Sequence, residues 1–462
     1  MSRVPGAVID HGAADWQVLQ QNERGTADLA LKGRWDTAAA GARVELRLVR
    51  EDTGGPVAAH LDWTPADTRP DGTWTGALRN VPAGGLYRLE THLRTKDQPA
   101  VEWSTRGDMR HFLGVGDLWI IAGQSNSAGY GREPCDDAPE LGVHVFNNAM
   151  RWALATQPLN DSTDTAHPAN RENANSGNAP WLHWARRIKQ AMGFPIGLIQ
   201  TSLGGSALAP WNPVQGGKHP LFQLMVKAVA AAGGRAKGML WYQGESDCGP
   251  EDAPRYERRF AAAVRAWRAA LHCPRLHVLT VQLNRYAIGP DEQADRDWSL
   301  LRQAQRSVAR RMPGVSVVPA LDLPLADAIH NSSHGNRLLA ERAAATALGA
   351  AYGRPVDYKA PEPVSACRDA EGTTIEIVFE NVASRIECFH QNSVPFRVED
   401  ARGVVPIEAA QYPGGNKVVL RLARAALGKA VVHGGYGRNP PPPPYDMVRF
   451  VPMLAFWGLA VE

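Results

Sequence analysis

The pattern of apolar and polar residues divides the chain into three zones. In residues 1–113, short segments alternate apolar and polar residues, as in ADLALKGRW, RVELRLVRE and LYRLETHLR. Such alternation is typical of strands with one buried face, and Gly-Gly and Asp-Gly pairs separate the segments as turns do. The first zone therefore predicts a small antiparallel β domain, either a sandwich or a jelly roll.

In the second zone, residues 114–355, short apolar runs alternate with longer helical patterns. The predicted strands are LWIIAG, VHVFN, IGLIQT, GMLWYQ, LHVLTVQL and VSVVPA. Between them, segments such as 253–271 repeat apolar residues at helical spacing, and the segment from about 333 to 351 is rich in Ala and Leu. Alternation of strands and helices predicts a parallel sheet covered on both faces, which explains why the strands are apolar throughout.

The third zone, residues 356–462, returns to β character with TTIEIVFE, FRVEDARG, KVVLRLA and KAVVHGG. We therefore expect three domains with boundaries near residues 113 and 355. The expected architecture is an α/β core flanked by N-terminal and C-terminal antiparallel β domains.

Composition and charge narrow the range of functions. The 462 residues are 44% hydrophobic and 21% charged, with a net charge of only +3 and basic residues spread along the chain. We therefore expect neither a nucleic acid nor a membrane as partner. No apolar run approaches the length of a membrane span, and the first residues lack the apolar stretch of a secretory signal. As written, the chain is expected to be cytoplasmic, or periplasmic or secreted if a signal has been removed.

Cysteine and histidine spacing argues against a metal centre. The five cysteines form no C-x-x-C pair, and their number is odd, so neither a disulfide framework nor a zinc site is indicated. His334 lies four residues after His330, but there is no H-E-x-x-H arrangement and no third ligand. We expect no metal and no cofactor.

Ser125 is the first candidate for chemistry, because it follows the buried strand LWIIAG in the stretch LWIIAGQSNSAGYG. Ligands of an open parallel sheet bind outside the carboxyl ends of its strands, where a serine hydroxyl would be held rigidly. The alternative is an ordinary serine at the start of a helix. A nucleophilic serine also needs a base to take its proton.

Asp327 and His330, which follow the last predicted strand, supply such a base. Their spacing allows the carboxylate to contact one imidazole nitrogen while the other nitrogen faces Ser125. The alternative is that both residues only cap the next helix. Ester hydrolysis further needs donors for the developing oxyanion. Candidates are the backbone N–H groups of Ser125 and of the Gly204-Gly205 pair, and the side-chain amide of Gln243.

The motifs GQSN, GGSALAPW, WYQGESD and D-x-x-H, in this order, resemble those of the SGNH hydrolase superfamily. More narrowly, the chain resembles the sialate O-acetylesterase and carbohydrate acetylesterase branch. The resemblance implies an SGNH-type, flavodoxin-like, three-layer α/β/α core. It also implies Ser125 as nucleophile, His330 as general base, Asp327 as its orienting partner, and oxyanion donors from Ser125, Gly204 and Gln243.

Four further residues of these motifs are candidate substrate contacts: Gln124, Asn126, Trp211 and Glu245. Trp211 has two equal interpretations, stacking on a sugar or closing the core edge. Glu245 and Asp247 are better explained as residues that hold loops. The polar segment 132–180 departs from the family pattern, and long loops at a catalytic edge often shape specificity.

The sequence thus predicts a serine esterase that removes O-acetyl groups from a carbohydrate. Two alternatives stay open: an esterase or lipase for other acyl groups, and a carbohydrate-binding protein without catalysis. The sequence names neither the sugar, the residues of the sugar cleft nor the oligomeric state.

Overall fold

The N-terminal part of the chain is built almost entirely of strands. The computed structural model describes residues 6–38, 41–95, 104–172, 176–390 and 392–462. The first strands are β1 Ala7–His11, β2 Val18–Gln20, β3 Thr26–Trp35, β4 Arg43–Arg50, β5 Thr64–Pro65, β6 Asp67–Thr68, β7 Thr73–Pro82, β8 Gly84–Arg94 and β9 Thr105–Gly123. In β3, alternate residues are buried, as its sequence pattern predicts.

The middle of the chain alternates strands and helices as predicted. The elements are α1 Ser125–Ala128, β10 Val143–Phe146, β11 Trp152–Leu154, α2 Trp181–Met192, β12 Ile196–Gln200, α3 Pro220–Ala232, β13 Gly238–Tyr242, α4 Tyr256–Ala270, β14 His277–Val281, α5 Glu292–Arg311, β15 Val315–Val318 and α6 Ser333–Ala350. Among the described residues, no helix has the length and apolarity needed to cross a bilayer.

The core sheet has the strand order β11-β10-β12-β9-β13-β14-β15, and every neighbouring pair from β10 to β15 is parallel. Without β10 and the antiparallel edge strand β11, the order of the remaining strands is 2-1-3-4-5, the flavodoxin-like arrangement. Strands β12, β13 and β14 are buried at every residue, so helices cover both faces. The predicted parallel α/β core is confirmed.

Strand β9 joins the N-terminal strands to the core sheet. Its first half pairs with β8 and β2, and its second half pairs with β12 and β13. The expected domain boundary at residue 113 therefore falls inside one continuous strand rather than in a linker. We keep the division into three domains as a proposal, since the N-terminal strands also surround an apolar cluster of their own.

The C-terminal part is again built of strands: β16 Glu362–Arg368, β17 Thr374–Glu380, β18 Ile386–Glu387, β19 Phe396–Asp400, β20 Gly403–Val405, β21 Ile407–Gln411, β22 Lys417–Leu422, β23 Ala430–Gly434, β24 Tyr445–Asp446, β25 Val451–Pro452 and β26 Phe456–Val461. Eight of them form a mainly antiparallel sheet over a separate apolar cluster. This part matches the expected C-terminal β domain.

A buried arginine connects this sheet to the core. Arg302 on α5 is fully buried and donates hydrogen bonds to the carbonyl oxygens of Leu283 and Asn284, just after β14. It also donates to the carbonyl oxygens of Gly435 and Gly437, which follow β23. Burial lowers the pKa of Arg302 to about 9, and the carbonyl dipoles replace the water that its charge has lost.

Replacing this arginine should destabilise the protein. Arg302→Met keeps much of the volume but leaves several buried carbonyl oxygens without a donor, at about 1–3 kcal/mol each. We expect the free energy of unfolding, measured by urea denaturation, to fall by about 3 kcal/mol or more. The control is Arg311→Met on the same helix, which removes an exposed ion pair with Glu257 and should cost less than about 1 kcal/mol. Equal losses in the two variants would contradict this role of Arg302.

Candidate active site

Ser125 lies at the carboxyl edge of the parallel sheet, directly beyond β9. It is the first residue of α1 and is 8% exposed. Gly123 before it has a φ of +121°, and a Cβ there would lie 2.1 Å from the carbonyl oxygen of Tyr242. Glycine therefore allows β9 to end close to β13 and to turn sharply, so that the serine side chain is placed at the sheet edge.

His330 reaches Ser125 from the loop between β15 and α6. Its Nε2 lies 2.9 Å from Ser125 Oγ, and its Nδ1 lies 2.7 Å from Asp327 Oδ2. Hydroxyl, imidazole and carboxylate therefore form one hydrogen-bonded series, although 205 positions separate the serine from the histidine. The structure brings together the three residues predicted from the spacing of the motifs.

The carboxylate of Asp327 is held in its ionised form. Partial burial alone would raise its pKa. Hydrogen bonds from the His330 side chain and from the backbone N–H groups of Ile329 and His330 outweigh this effect, so its pKa lies below the usual value. A carboxylate that stays charged at neutral pH can orient the imidazole and stabilise its protonated form.

The loop that carries His330 is fixed from two sides. Asn126 donates to the carbonyl oxygen of Ile329 at 3.2 Å and accepts from the N–H of Asn331 at 2.9 Å, so it holds the residues on both sides of His330. Asn284, just beyond β14, donates to the same Ile329 carbonyl at 2.9 Å and to Asn331 Oδ1 at 2.7 Å. The position of the imidazole thus depends on two buried asparagines, which follow β9 and β14 of the same sheet.

The glycine pair after β12 lies at the same edge, as predicted. The N–H of Gly204 donates to Glu172 Oε1 at 2.6 Å. A Cβ on residue 204 would lie 2.9 Å from Glu172 Oε2 and 3.0 Å from the hydroxyl of Tyr130, so a larger residue would push these side chains away. Of the glycine pair, Gly204 is thus the one whose N–H is directed at an oxygen atom, that of the Glu172 carboxylate.

Gln243 does not occupy the position expected of an oxyanion donor. It is fully buried, and its Nε2 lies 2.6 Å from Asp247 Oδ2, 3.2 Å from the Ser206 carbonyl oxygen and 3.3 Å from Gln124 Oε1. Its Oε1 accepts from the hydroxyl of Tyr256 at 2.8 Å. The expectation that its amide donates to an oxyanion is corrected, because the side chain has no exposed surface and three acceptors already compete for its two amide hydrogens.

Comparison with known proteins identifies the family of this site. The family model described as carbohydrate esterase, sialic acid-specific acetylesterase, matches residues 115–349, more than half of the chain. The chain belongs to this carbohydrate esterase family. It is therefore a member of a family of carboxylic ester hydrolases, and the matched residues include the whole Ser125, Asp327 and His330 series.

Curated relatives and a solved structure resemble this esterase over different lengths. A probable carbohydrate esterase of Arabidopsis thaliana is 29% identical over 36% of this chain and 68% of its own length. The human sialate O-acetylesterase is 26% identical over 43% of each chain, so the match spans less than half of that relative. A carbohydrate acetylesterase from Xanthomonas citri has a similar fold, with a TM-score of 0.70, 23% identity and coverage of 97% of this chain and 99% of its own.

Three of the four candidate substrate contacts in the esterase have structural partners instead. Trp211 is fully buried, donates to Ser206 Oγ at 3.1 Å and packs edge-on against Trp241, so it belongs to the core. Gln124 is buried and its Oε1 accepts from the N–H groups of Gly244 and Ser246. Asn126, 1% exposed, holds the His330 loop. For Trp211 the structure supports the core interpretation, and the expectation that Asn126 contacts a sugar is corrected. For Gln124 these hydrogen bonds account only for Oε1, so a sugar contact through its amide group stays a prediction.

Glu245 lies behind the catalytic series in the esterase. Its Oε1 accepts from Asn126 Nδ2 at 2.8 Å, while its buried Oε2 has no hydrogen-bond partner among the described residues. Burial raises its pKa, and the hydrogen bond from Asn126 only partly offsets this. Asp247 accepts from the N–H of Leu208 at 2.8 Å, which agrees with its predicted role in holding loops.

Sequence reasoning missed two side chains at this site. The ring of Tyr130 stacks on His330 with centroids 4.6 Å apart, and Glu172 contacts Gly204. Tyr130 is only five positions after Ser125 in the sequence, and this short separation was a signal that its side chain lies near the catalytic serine. Glu172 lies in the polar segment 132–180, which has no pattern that assigns a position to any of its residues.

The role of Asn126 as a clamp can be separated from a role in sugar binding. Asn126→Ala removes two hydrogen bonds to the His330 loop and one to Glu245. We expect stability to fall by about 1–3 kcal/mol, and kcat for a small aryl acetate to fall with it, since the imidazole loses its fixed position. Steady-state kinetics and urea denaturation check this. A variant with unchanged kcat on the aryl acetate and a raised KM only on acetylated sugars would support sugar contact instead.

The lowered pKa of Asp327 predicts a pH-dependent contribution to stability. A carboxyl group whose pKa is lower in the folded state contributes stability above its unfolded pKa, near 3.9, and this contribution disappears as the pH falls through the folded value. The difference in unfolding free energy between the native protein and Asp327→Asn should therefore be largest near neutral pH and shrink below pH about 4. A difference that grows on acidification, measured by denaturation at several pH values, would contradict the assignment.

Proposed function

We propose that this carbohydrate esterase removes O-acetyl groups from a sugar with Ser125 as nucleophile. The observation that carries the proposal is the hydrogen-bonded series from Ser125 Oγ through His330 to Asp327. Family membership supports a carbohydrate ester as substrate, and the names of the relatives support acetyl as the acyl group. The partner we propose is therefore an acetylated carbohydrate.

The first half of the reaction forms an acyl-enzyme. Ser125 Oγ attacks the acetyl carbonyl carbon while His330 Nε2 takes the hydroxyl proton, and Asp327 stabilises the resulting imidazolium. The tetrahedral intermediate then breaks the bond to the sugar oxygen, which receives the proton from His330. The sugar leaves, and the acetyl group stays on Ser125.

The second half repeats these proton transfers with water. His330 accepts a proton from the attacking water, and the second tetrahedral intermediate releases acetate and restores the serine hydroxyl. The N–H groups of Ser125 and Gly204 are the oxyanion donors that we propose, each worth roughly 10²–10³ in rate. Gln243 does not contact the substrate in this mechanism. Its side-chain amide bonds to Asp247 and Gln124 and orients these two side chains.

The nucleophile assignment predicts a large loss of activity on removing one oxygen atom. In Ser125→Ala, kcat for hydrolysis of an aryl acetate should fall by at least about 10³-fold, because no covalent intermediate can form. The matched control is Ser365→Ala on β16, a strand of the C-terminal sheet and not of the core sheet, which should keep full activity. Equal rates for the native protein and Ser125→Ala would favour a carbohydrate-binding protein without catalysis.

Acyl and sugar selectivity are measured with the same two proteins. Acetate release from a panel of acetylated glycans, corrected for Ser125→Ala, identifies the sugar; sialate alone responding would favour a sialate O-acetylesterase. Faster cleavage of long-chain aryl esters than of aryl acetate would favour the alternative of an esterase or lipase for other acyl groups.

A further inference from the structure

The carboxylate of Glu172 occupies the N–H group that the proposed mechanism assigns to the substrate. The distance from Gly204 N to Glu172 Oε1 is 2.6 Å, and the other carboxylate oxygen lies 3.4 Å from the hydroxyl of Tyr130. Tyr130 in turn stacks on His330. Glu172 is therefore part of the catalytic edge, although it comes from a loop outside the motifs.

A network of buried asparagines holds Glu172 in this position. Asn160, 1% exposed, donates to Glu172 Oε1 at 3.0 Å and accepts from Asn148 at 2.7 Å. Asn148 accepts from Asn170 at 2.8 Å, and the N–H of Glu172 donates to Ser162 Oγ at 3.1 Å. Such a network places the carboxylate by specific hydrogen bonds, not by chance contact of a surface side chain.

One N–H group donates only one strong hydrogen bond, so the carboxylate and an ester carbonyl oxygen compete for Gly204. The negative charge of Glu172 would also oppose the charge that develops on the oxyanion nearby. An ester without hydrogen-bond donors cannot compete with the Gly204 N–H for the Glu172 carboxylate. A sugar ester can compete, because the hydroxyls beside its acetylated oxygen are donors from which a carboxylate accepts strong hydrogen bonds.

We propose that Glu172 is a specificity-determining residue that selects acetyl esters with free neighbouring hydroxyls. These hydroxyls donate to the Glu172 carboxylate and draw it off Gly204, whose N–H then receives the ester carbonyl oxygen. When a small ester without hydroxyls reacts, the N–H of Gly204 is still bonded to Glu172 and does not serve the oxyanion. The proposal rests on the proposed function, since it assigns Gly204 to the oxyanion of the serine esterase reaction.

The test compares Glu172→Ala with the native protein on three esters. These are an aryl acetate, a mono-O-acetylated methyl hexoside with free neighbouring hydroxyls, and the same compound with those hydroxyls methylated. We expect kcat/KM on the aryl acetate to rise about tenfold or more in Glu172→Ala, because a donor worth roughly 10²–10³ becomes available. The preference for free over methylated hydroxyls, about tenfold or more in the native protein, should approach one in the variant.

Two further variants keep the result interpretable. Glu172→Gln removes the charge but keeps an amide oxygen for Asn160, so its rate on the aryl acetate should lie between those of the native protein and Glu172→Ala. The matched control Glu371→Ala removes a carboxylate in an exposed turn of the C-terminal sheet and should change neither rate nor preference. Thermal unfolding of all variants identifies any that fails to fold. If Glu172→Ala fails, the rate and the hydroxyl preference of Glu172→Gln decide whether the proposal holds.

The outcomes separate this proposal from the proposed function. An unchanged or lower aryl acetate rate in both Glu172 variants, with hydrolysis still dependent on Ser125, overturns the role of Glu172 alone. A hydroxyl preference that is the same with and without the carboxylate also overturns it. Loss of any difference between the native protein and Ser125→Ala overturns the esterase mechanism itself.

Discussion

The hydrogen bond between Ser125 and His330 depends on a constraint on the backbone, namely that the parallel strands of the core all end at one edge. Ser125 follows β9, Gly204 follows β12, Asn284 follows β14, and His330 follows β15. Residues far apart in the chain therefore meet because their strands belong to one sheet and run in the same direction. The chemistry of the site is fixed by this shared edge more than by any single side chain.

Side-chain hydrogen bonds between elements connect the catalytic edge to parts of the chain outside the core. Asn126 and Asn284 hold the loop of His330, and Arg302 holds the backbone of Asn284 while it contacts the C-terminal strands. A series of hydrogen bonds thus runs from the C-terminal β part to the loop that carries His330. At the other end, β9 is both an N-terminal strand and the central strand that leads to Ser125. Both flanking β parts are therefore mechanically connected to the catalytic edge.

Much of the site was predictable from the chain because its signals are local. A buried strand followed by Gly-Gln-Ser-Asn, and an Asp three residues before a His, are patterns that secondary structure alone converts into positions. Gln243 was predicted wrongly, and Trp211 was left open between sugar stacking and the core edge, for a common reason: each stands in a motif, but its side chain turns inward. The direction of each side chain is set by its tertiary surroundings: Gln243 bonds to Asp247 inside the core, and Trp211 packs against Trp241, and the motif letters alone do not reveal either contact.

The sequence by itself determined the alternation of strands and helices, the parallel core, and the residues of the nucleophilic series, because periodicity and motif spacing act over short distances along the chain. Only the tertiary structure decided that β9 crosses the expected domain boundary, that Gln243 is taken up by Asp247, and that Glu172 sits on the N–H of Gly204. The physical reason is that β9 and Glu172 depend on contacts between segments far apart in the chain, and that Gln243 depends on burial and on which of several competing hydrogen-bond partners its amide meets.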